Sequence, residues 1–191
     1  MKQVYAGIVL AGGSSSRMGQ DKAWLLYQGK PFIQHAIDAL TPHCSQLFIS
    51  SKDASYGSLG VKQIPDLLPG LGPAGALLSC LSAVENDLLM VVPCDLPLVT
   101  HSVLNHLVAD SNEFDAVVAK VNGRLIPVCG VYHRSALEVL SEEVGAGRLK
   151  LQGILEGLKV QVVDFDALGL KNRFFNVNSF GDYQLLQGFS Q

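Results

Sequence analysis

The 191 residues are 48% apolar and 16% charged with a net charge of −3, which suits one well-filled core and excludes both a disordered chain and a general nucleic-acid coat. No signal-peptide pattern opens the chain and no apolar run reaches the ~20 residues of a membrane span, so a cytoplasmic protein is expected, with no membrane and no nucleic acid among its partners. The four cysteines, Cys44, Cys80, Cys94 and Cys129, form no C-x-x-C pair; they read as small core residues in a reducing compartment rather than as a zinc or redox site.

Val4 to Leu10 is nearly all apolar and reads as a strand buried on both faces. It runs into Ala11-Gly12-Gly13, then Ser14, Ser15 and Ser16, then Arg17, Met18, Gly19, Asp21 and Lys22. Adjacent glycines let a ligand approach main-chain N–H groups, and successive N–H groups make a concave anion site. Arg17 adds a planar fork for phosphate oxygens and Lys22 a mobile point charge. The stretch is a cradle for a di- or triphosphate, although its spacing is neither the P-loop nor the dinucleotide fingerprint. The plain alternative is a solvent loop after a buried strand.

The segment LAGGSSSRMGQDK, Leu10 to Lys22, resembles the signature loop of nucleotidyltransferases that move a nucleoside monophosphate from an NTP onto a phosphate. Its Ala-Gly-Gly form, followed by Arg-Met-Gly and Asp-Lys, most resembles the molybdenum cofactor guanylyltransferases of MobA type. The resemblance implies that Leu10, Ala11, Gly12, Gly13 and Lys22 contact the nucleotide.

Further along, Gly29-Lys30-Pro31 predicts a turn with Pro31 at a first helical position, and Phe32, Ile33, Ala36, Ile37 and Leu40 recur at helical spacing up to Thr41-Pro42. Gln46 to Ser51 and Gly60 to Ile64 read as strands, and strand–helix–strand predicts a parallel sheet. Gly70, Gly72 and Gly75 spell G-x-G-x-x-G, but Pro65, Leu67, Leu68 and Pro69 separate them from the strand, so the segment is a turn-rich loop into a helix with Pro73 near its start. Asp66 caps a turn; alternatively, an aspartate before Gly72-Pro73-Ala74-Gly75 resembles the family's nucleotide-contacting loop, which puts Asp66 and Gly72 at the nucleotide.

Leu88 to Pro93 is the most apolar run and reads as a central strand, ending in Cys94-Asp95-Leu96-Pro97. Ligands of open α/β sheets bind outside the carboxyl ends of strands, and a carboxylate there suits Mg²⁺, which takes one or two carboxylates plus phosphate oxygens. PCDLP resembles the family's metal-binding segment, with Asp95 as the ligand; capping of the next helix is the alternative.

Val103 to Val108 reads as helix. Phe114 to Val121 and Arg124 to Tyr132 read as strands of a hairpin turning at Asn122-Gly123, the second bulged or at an edge because of Pro127 and Gly130. That second strand also resembles the family's Pro-x-x-Gly-x-Tyr strand beside the acceptor site. Ser135 to Val144 reads as helix, Gly145-Ala146-Gly147 as a break, Leu149 to Leu158 as a short helix and Val160 to Phe165 as a strand. Arg148, after the break, is either solvated or, by resemblance, close to the acceptor phosphate. Asn176 and Asn178 alternate in an extended segment, so they share a face, and their amides both donate and accept. They resemble the family's Asn-x-Asn-Thr acceptor motif. Ser179 replaces the Thr, and Phe180-Gly181-Asp182 departs from the family pattern ahead of a closing helix through Tyr183, Leu185 and Leu186. The five histidines show no metal-ligand spacing, and no G-x-S-x-G is present.

The expected fold is one three-layer α/β/α domain over residues 1–191 with a mainly parallel sheet, of the NTP-transferase type. The resemblance implies a Mg²⁺-dependent transfer of GMP from GTP to the terminal phosphate of molybdopterin, with or without molybdenum, giving the guanine dinucleotide cofactor and pyrophosphate. It assigns catalysis to Arg17, Lys22 and Asp95, and acceptor binding to Arg148, Asn176 and Asn178. Its implied protein partners are other molybdenum cofactor biosynthesis proteins or apo-molybdoenzymes. Where the family tends to carry Asn near the guanine, this chain has Ser50-Ser51. A cytidylyltransferase acting on molybdopterin or on a sugar or polyol phosphate, and a non-catalytic nucleotide-binding module, stand as alternatives.

Overall fold

Nearly continuous apolar runs in three strands decide the architecture. The computed structural model describes residues 5–12, 21–67, 70–108 and 113–189. In β1 (Tyr5–Leu10), β6 (Leu88–Pro93) and β7 (Ala116–Val121), successive side chains feed opposite faces of the sheet. Val9, Met90, Val92, Val117 and Ala119 enter one core; Ala6, Ile8, Leu89, Val91 and Val118 enter the other. A sheet apolar on both faces needs a layer over each. One face is covered by α1 (Phe32–Leu40) and α3 (His101–Leu104). The other is covered by α2 (Gly72–Ala83), α4 (Ala136–Gly145) and α5 (Leu151–Leu155). The fold is α/β with a three-layer build.

Adding β4 (Cys44–Ser50), β5 (Lys62–Ile64), β8 (Arg124–His133) and β9 (Val160–Asp164), the seven strands stand in the order β5-β4-β1-β6-β8-β7-β9. Only β8 runs against its neighbours, β6 and β7. The chain passes from β1 outward to β4 and β5, then returns to β6 on the other side of β1. The strand order therefore reverses between β1 and β6, and such a switch point opens a crevice at the strands' carboxyl ends.

The hairpin of β7 and β8 turns at Asn122 (φ 51°) and Gly123 (φ 71°), the positive-φ pair of a type I′ turn. The expected bulge is there, but β8 is an interior strand. Val118 pairs with Gly130 while Ala119 pairs with Ile126, leaving Pro127, Val128 and Cys129 out of the ladder. Proline has no N–H to lose at such a point, and the buried Tyr132 hydroxyl donates to the Pro127 carbonyl at 2.7 Å.

Several boundaries differ from the sequence expectation. Gly29-Lys30-Pro31 is not one turn: Gln28 and Gly29 turn a two-residue hairpin of β2 (Leu26–Tyr27) and β3 (Lys30–Pro31), and Pro31 is the N-cap of α1. The helix read as Val103 to Val108 is His101–Leu104 followed by a 3-10 turn, Asn105–Leu107. The short helix after the glycine break is Leu151–Leu155. The segment Ala54–Leu59, unassigned by pattern, is 3-10 and buries Tyr56. The closing helix α6 (Phe180–Gln187) starts in a capping box: Ser179 accepts from the Asp182 N–H, and the Asp182 carboxylate accepts from the Ser179 N–H. The residues that depart from the family pattern thus supply this helix's start signal. Among the described residues no helix is long and apolar enough to cross a membrane.

Candidate active site

Two strand ends meet at the switch point. The Leu10 carbonyl, last in β1, accepts from the Cys94 N–H at 3.1 Å, and the Ala11 N–H donates to the Ser50 carbonyl at the end of β4 at 3.3 Å. The backbone of residues 10 and 11 is thereby tied to both neighbours, and Gly12 emerges exposed from the sheet edge. Gly13 and Arg17 lie outside the described residues.

The chain re-enters at Asp21. This carboxylate caps the 3-10 turn Lys22–Trp24 by accepting from the Ala23 N–H at 3.0 Å. Its second oxygen accepts from the Tyr56 hydroxyl, and Tyr56 stacks on Trp24 with ring centroids 5.7 Å apart. The stem of Lys22 therefore starts from a fixed turn, and its ammonium lies 4.0 Å from Asp95 Oδ2 and donates to Asn178 Oδ1 at 2.7 Å.

Asp95 follows β6 at the crevice floor. Burial pushes its carboxyl pKa up, and the Lys22 ammonium partly offsets this. A carboxylate whose desolvation exceeds what the protein repays in charge favours a further cation. The Asp95 carbonyl also accepts from the Val177 N–H at 3.0 Å. That bond lays the 176–178 segment along the site, with Val177 buried behind it and Asn176 and Asn178 exposed.

A cleft of ≈ 240 Å³ joins these parts; Leu10, Gly12, Lys22, Asp95 and Asn176 line it, with Pro73 from the start of α2 and Val128 from the β8 bulge. A larger cavity of ≈ 620 Å³, between the β2–β3 hairpin, Pro97–Thr100 and residues 169–173, contains neither Asp95 nor Lys22 nor the glycine turn. Asp95, Lys22 and Gly12 all line the smaller cleft.

At the end of β4, the buried Ser50 hydroxyl donates to Asp66 Oδ1 at 3.3 Å. Leu67, next to Asp66, is pinned by Ser79, whose hydroxyl accepts from the Leu67 N–H at 2.9 Å and donates to the Gly75 carbonyl at 2.8 Å. Gly72 opens α2 with φ +61°. Arg148 does not line the cleft; it holds Glu143 through both carboxylate oxygens, at 2.6 and 2.7 Å. Sequence reasoning missed Tyr56 and Val128. The Asp21-x-Ala23 spacing carries a cap signal, but nothing local marks Tyr56 as its partner.

Among the described residues no three His, Cys, Asp or Glu side chains cluster to hold a metal. A Mg²⁺ site of one carboxylate completed by phosphate oxygens and water needs only Asp95, and the donor set fits that pattern.

The model of the MobA-like NTP transferase domain matches residues 7–162. A Clostridium perfringens protein named probable molybdenum cofactor guanylyltransferase is 31% identical over 184 residues, covering 92% of each chain. A Carboxydothermus hydrogenoformans protein of the same name is 31% identical over 187 residues, covering 95% of each. Among solved structures, molybdopterin-guanine dinucleotide biosynthesis protein A from Archaeoglobus fulgidus shares the fold with a TM-score of 0.80 at 24% identity, over 95% of this chain and 96% of that one.

Proposed function

The chain belongs to the MobA-like NTP transferase domain family, and from that premise we propose that it transfers GMP from GTP to the terminal phosphate of molybdopterin, releasing pyrophosphate and forming the guanine dinucleotide cofactor. The names of its relatives support the substrates. The observation that carries the reading is the half-buried Asp95 at the end of β6, 4.0 Å from Lys22 and in one cleft with Gly12 at the end of β1.

Positioning and charge neutralisation account for most of such a transfer. The N–H groups of Gly12 and Gly13 would serve as donors to the triphosphate beside Leu10 and Ala11. Lys22 and Arg17 stabilise charge on the transferring and leaving oxygens. Asp66, supported by Ser50, and Gly72 face the nucleoside, and Asn176 and Asn178 serve the acceptor, while Arg148, paired with Glu143, is left out of this reading. Asp95 would hold Mg²⁺, which would supply neutralising charge to the phosphates. The acceptor is a phosphate monoester with a second pKa of about 6, so it attacks as an anion and needs no general base.

Asp95→Ala is expected to abolish turnover and the Mg²⁺ dependence of GTP binding. Wild-type turnover in this variant removes Asp95 from the mechanism.

A further inference from the structure

Among the oxygens around Lys22, two lie at different distances. Its ammonium donates to Asn178 Oδ1 at 2.7 Å and stops 4.0 Å from Asp95 Oδ2. An ammonium on a flexible stem beside a carboxylate of opposite charge, both largely shielded from water at 19% and 26% side-chain exposure, is drawn toward direct contact. Here a neutral amide 156 residues away in sequence holds the shorter bond.

Asn178 is itself held in place. Its N–H donates to Asp182 Oδ2 at 3.0 Å, the carboxylate that also closes the capping box of α6. On the other side, Val177 is buried and donates its N–H to the Asp95 carbonyl. The amide therefore sits on a backbone fixed at both ends, one of them Asp95's own residue.

Accordingly, we propose that Asn178 is a positioning residue, whose amide oxygen keeps the Lys22 ammonium off Asp95 so that the lysine faces phosphate oxygens and the carboxylate stays open to Mg²⁺. This rests on the functional reading above. The arrangement costs Asn178 one acceptor only; its NH₂ group keeps two donors for the acceptor substrate. Without the amide oxygen, Lys22 closes on Asp95. The resulting ion pair blocks the metal's carboxylate and withdraws the cation from the triphosphate.

The test is calorimetric titration of GTP at varied Mg²⁺ on folded protein, with folding checked by thermal melting. Asn178→Ala is expected to raise the Mg²⁺ concentration for half-maximal GTP binding about tenfold or more, the scale of losing a group that orients a metal ligand. In a Lys22→Met background, Asn178→Ala is expected to change nothing further, because it acts through the ammonium. A response in Asn178→Ala equal to wild type overturns the proposal, as does an undiminished effect in the Lys22→Met background. A wild-type chain whose GTP binding ignores Mg²⁺ overturns the functional reading as well, a result distinct from either.

Discussion

Gly130 is where the sheet and the cleft depend most on one missing atom. A Cβ added there would stand 2.5 Å from the Val117 carbonyl oxygen, 3.2 Å from Val118 Cγ1 and 3.3 Å from Val118 Cα. Two of these are backbone atoms of β7, which is itself clamped between β8 and β9. Relief therefore requires β8 to move by about 1 Å, since carbon atoms pack at roughly 3.5 Å. Such overpacking of a core strand costs about 3 kcal/mol, the upper end of its usual range, against a total stability of roughly 5–15 kcal/mol. For a chain of this size Gly130→Ala should lower the melting temperature by about 6–12 °C. It should also lower the denaturant midpoint with little change in slope. Gly153 in α5 has nothing within 4 Å of its added Cβ, so Gly153→Ala should be neutral or stabilising by about 0.5–1 kcal/mol. A Gly130→Ala loss below about 0.5 kcal/mol would refute the claim that close approach, rather than chance, puts glycine at this bulge.

Lys22→Ala should lower kcat by about 10²-fold, the scale of removing one preorganised charge donor; steady-state kinetics showing a loss under about threefold rules out a transition-state role. Asp182 gives a pH prediction. Hydrogen bonds from the Ser179 hydroxyl and from the Asn178 and Ser179 N–H groups hold its pKa below the ordinary carboxylate value. Its contribution is therefore fully present above the unfolded value of about 3.9 and is lost as pH falls through the lower folded value. Removing the cap should cost about 1 kcal/mol near neutrality. The gap between wild type and Asp182→Asn in urea melts should persist at pH 5 and close toward pH 3; a gap that widens on acidification contradicts the cap assignment.

The parts legible in the sequence are those in which neighbouring residues carry the signal. Leu88 to Pro93 reads as a central strand because every residue is apolar, and the observed β6 has those same bounds. Asn122-Gly123 reads as a hairpin because few residue pairs tolerate two positive φ angles. Pro127 and Gly130 announce a bulge, yet not that β8 would be interior, since its pairing with β6 is a long-range choice that no local pattern encodes. In the cleft, Asp95 was legible as a carboxylate at a strand end. Its neighbourhood was not: Tyr56 reaches Asp21 across 35 residues and Asn178 reaches Lys22 across 156. Arg148 shows the opposite limit. Gly147, with φ +77°, turns the chain back at the end of α4 and lets Arg148 grip Glu143, a pairing that the glycine break did not announce. Ser50 illustrates a departure explained by its partner, since its hydroxyl holds Asp66 where a longer amide is more usual in the resembled family.

The most direct test of the central claim is pyrophosphate release in Mg²⁺ with molybdopterin as acceptor, comparing GTP with CTP and ATP. The account predicts release with GTP alone. Release with CTP would contradict the base assignment while leaving the chemistry of Lys22 and Asp95 standing, and silence with all three would contradict guanylyl transfer to molybdopterin itself.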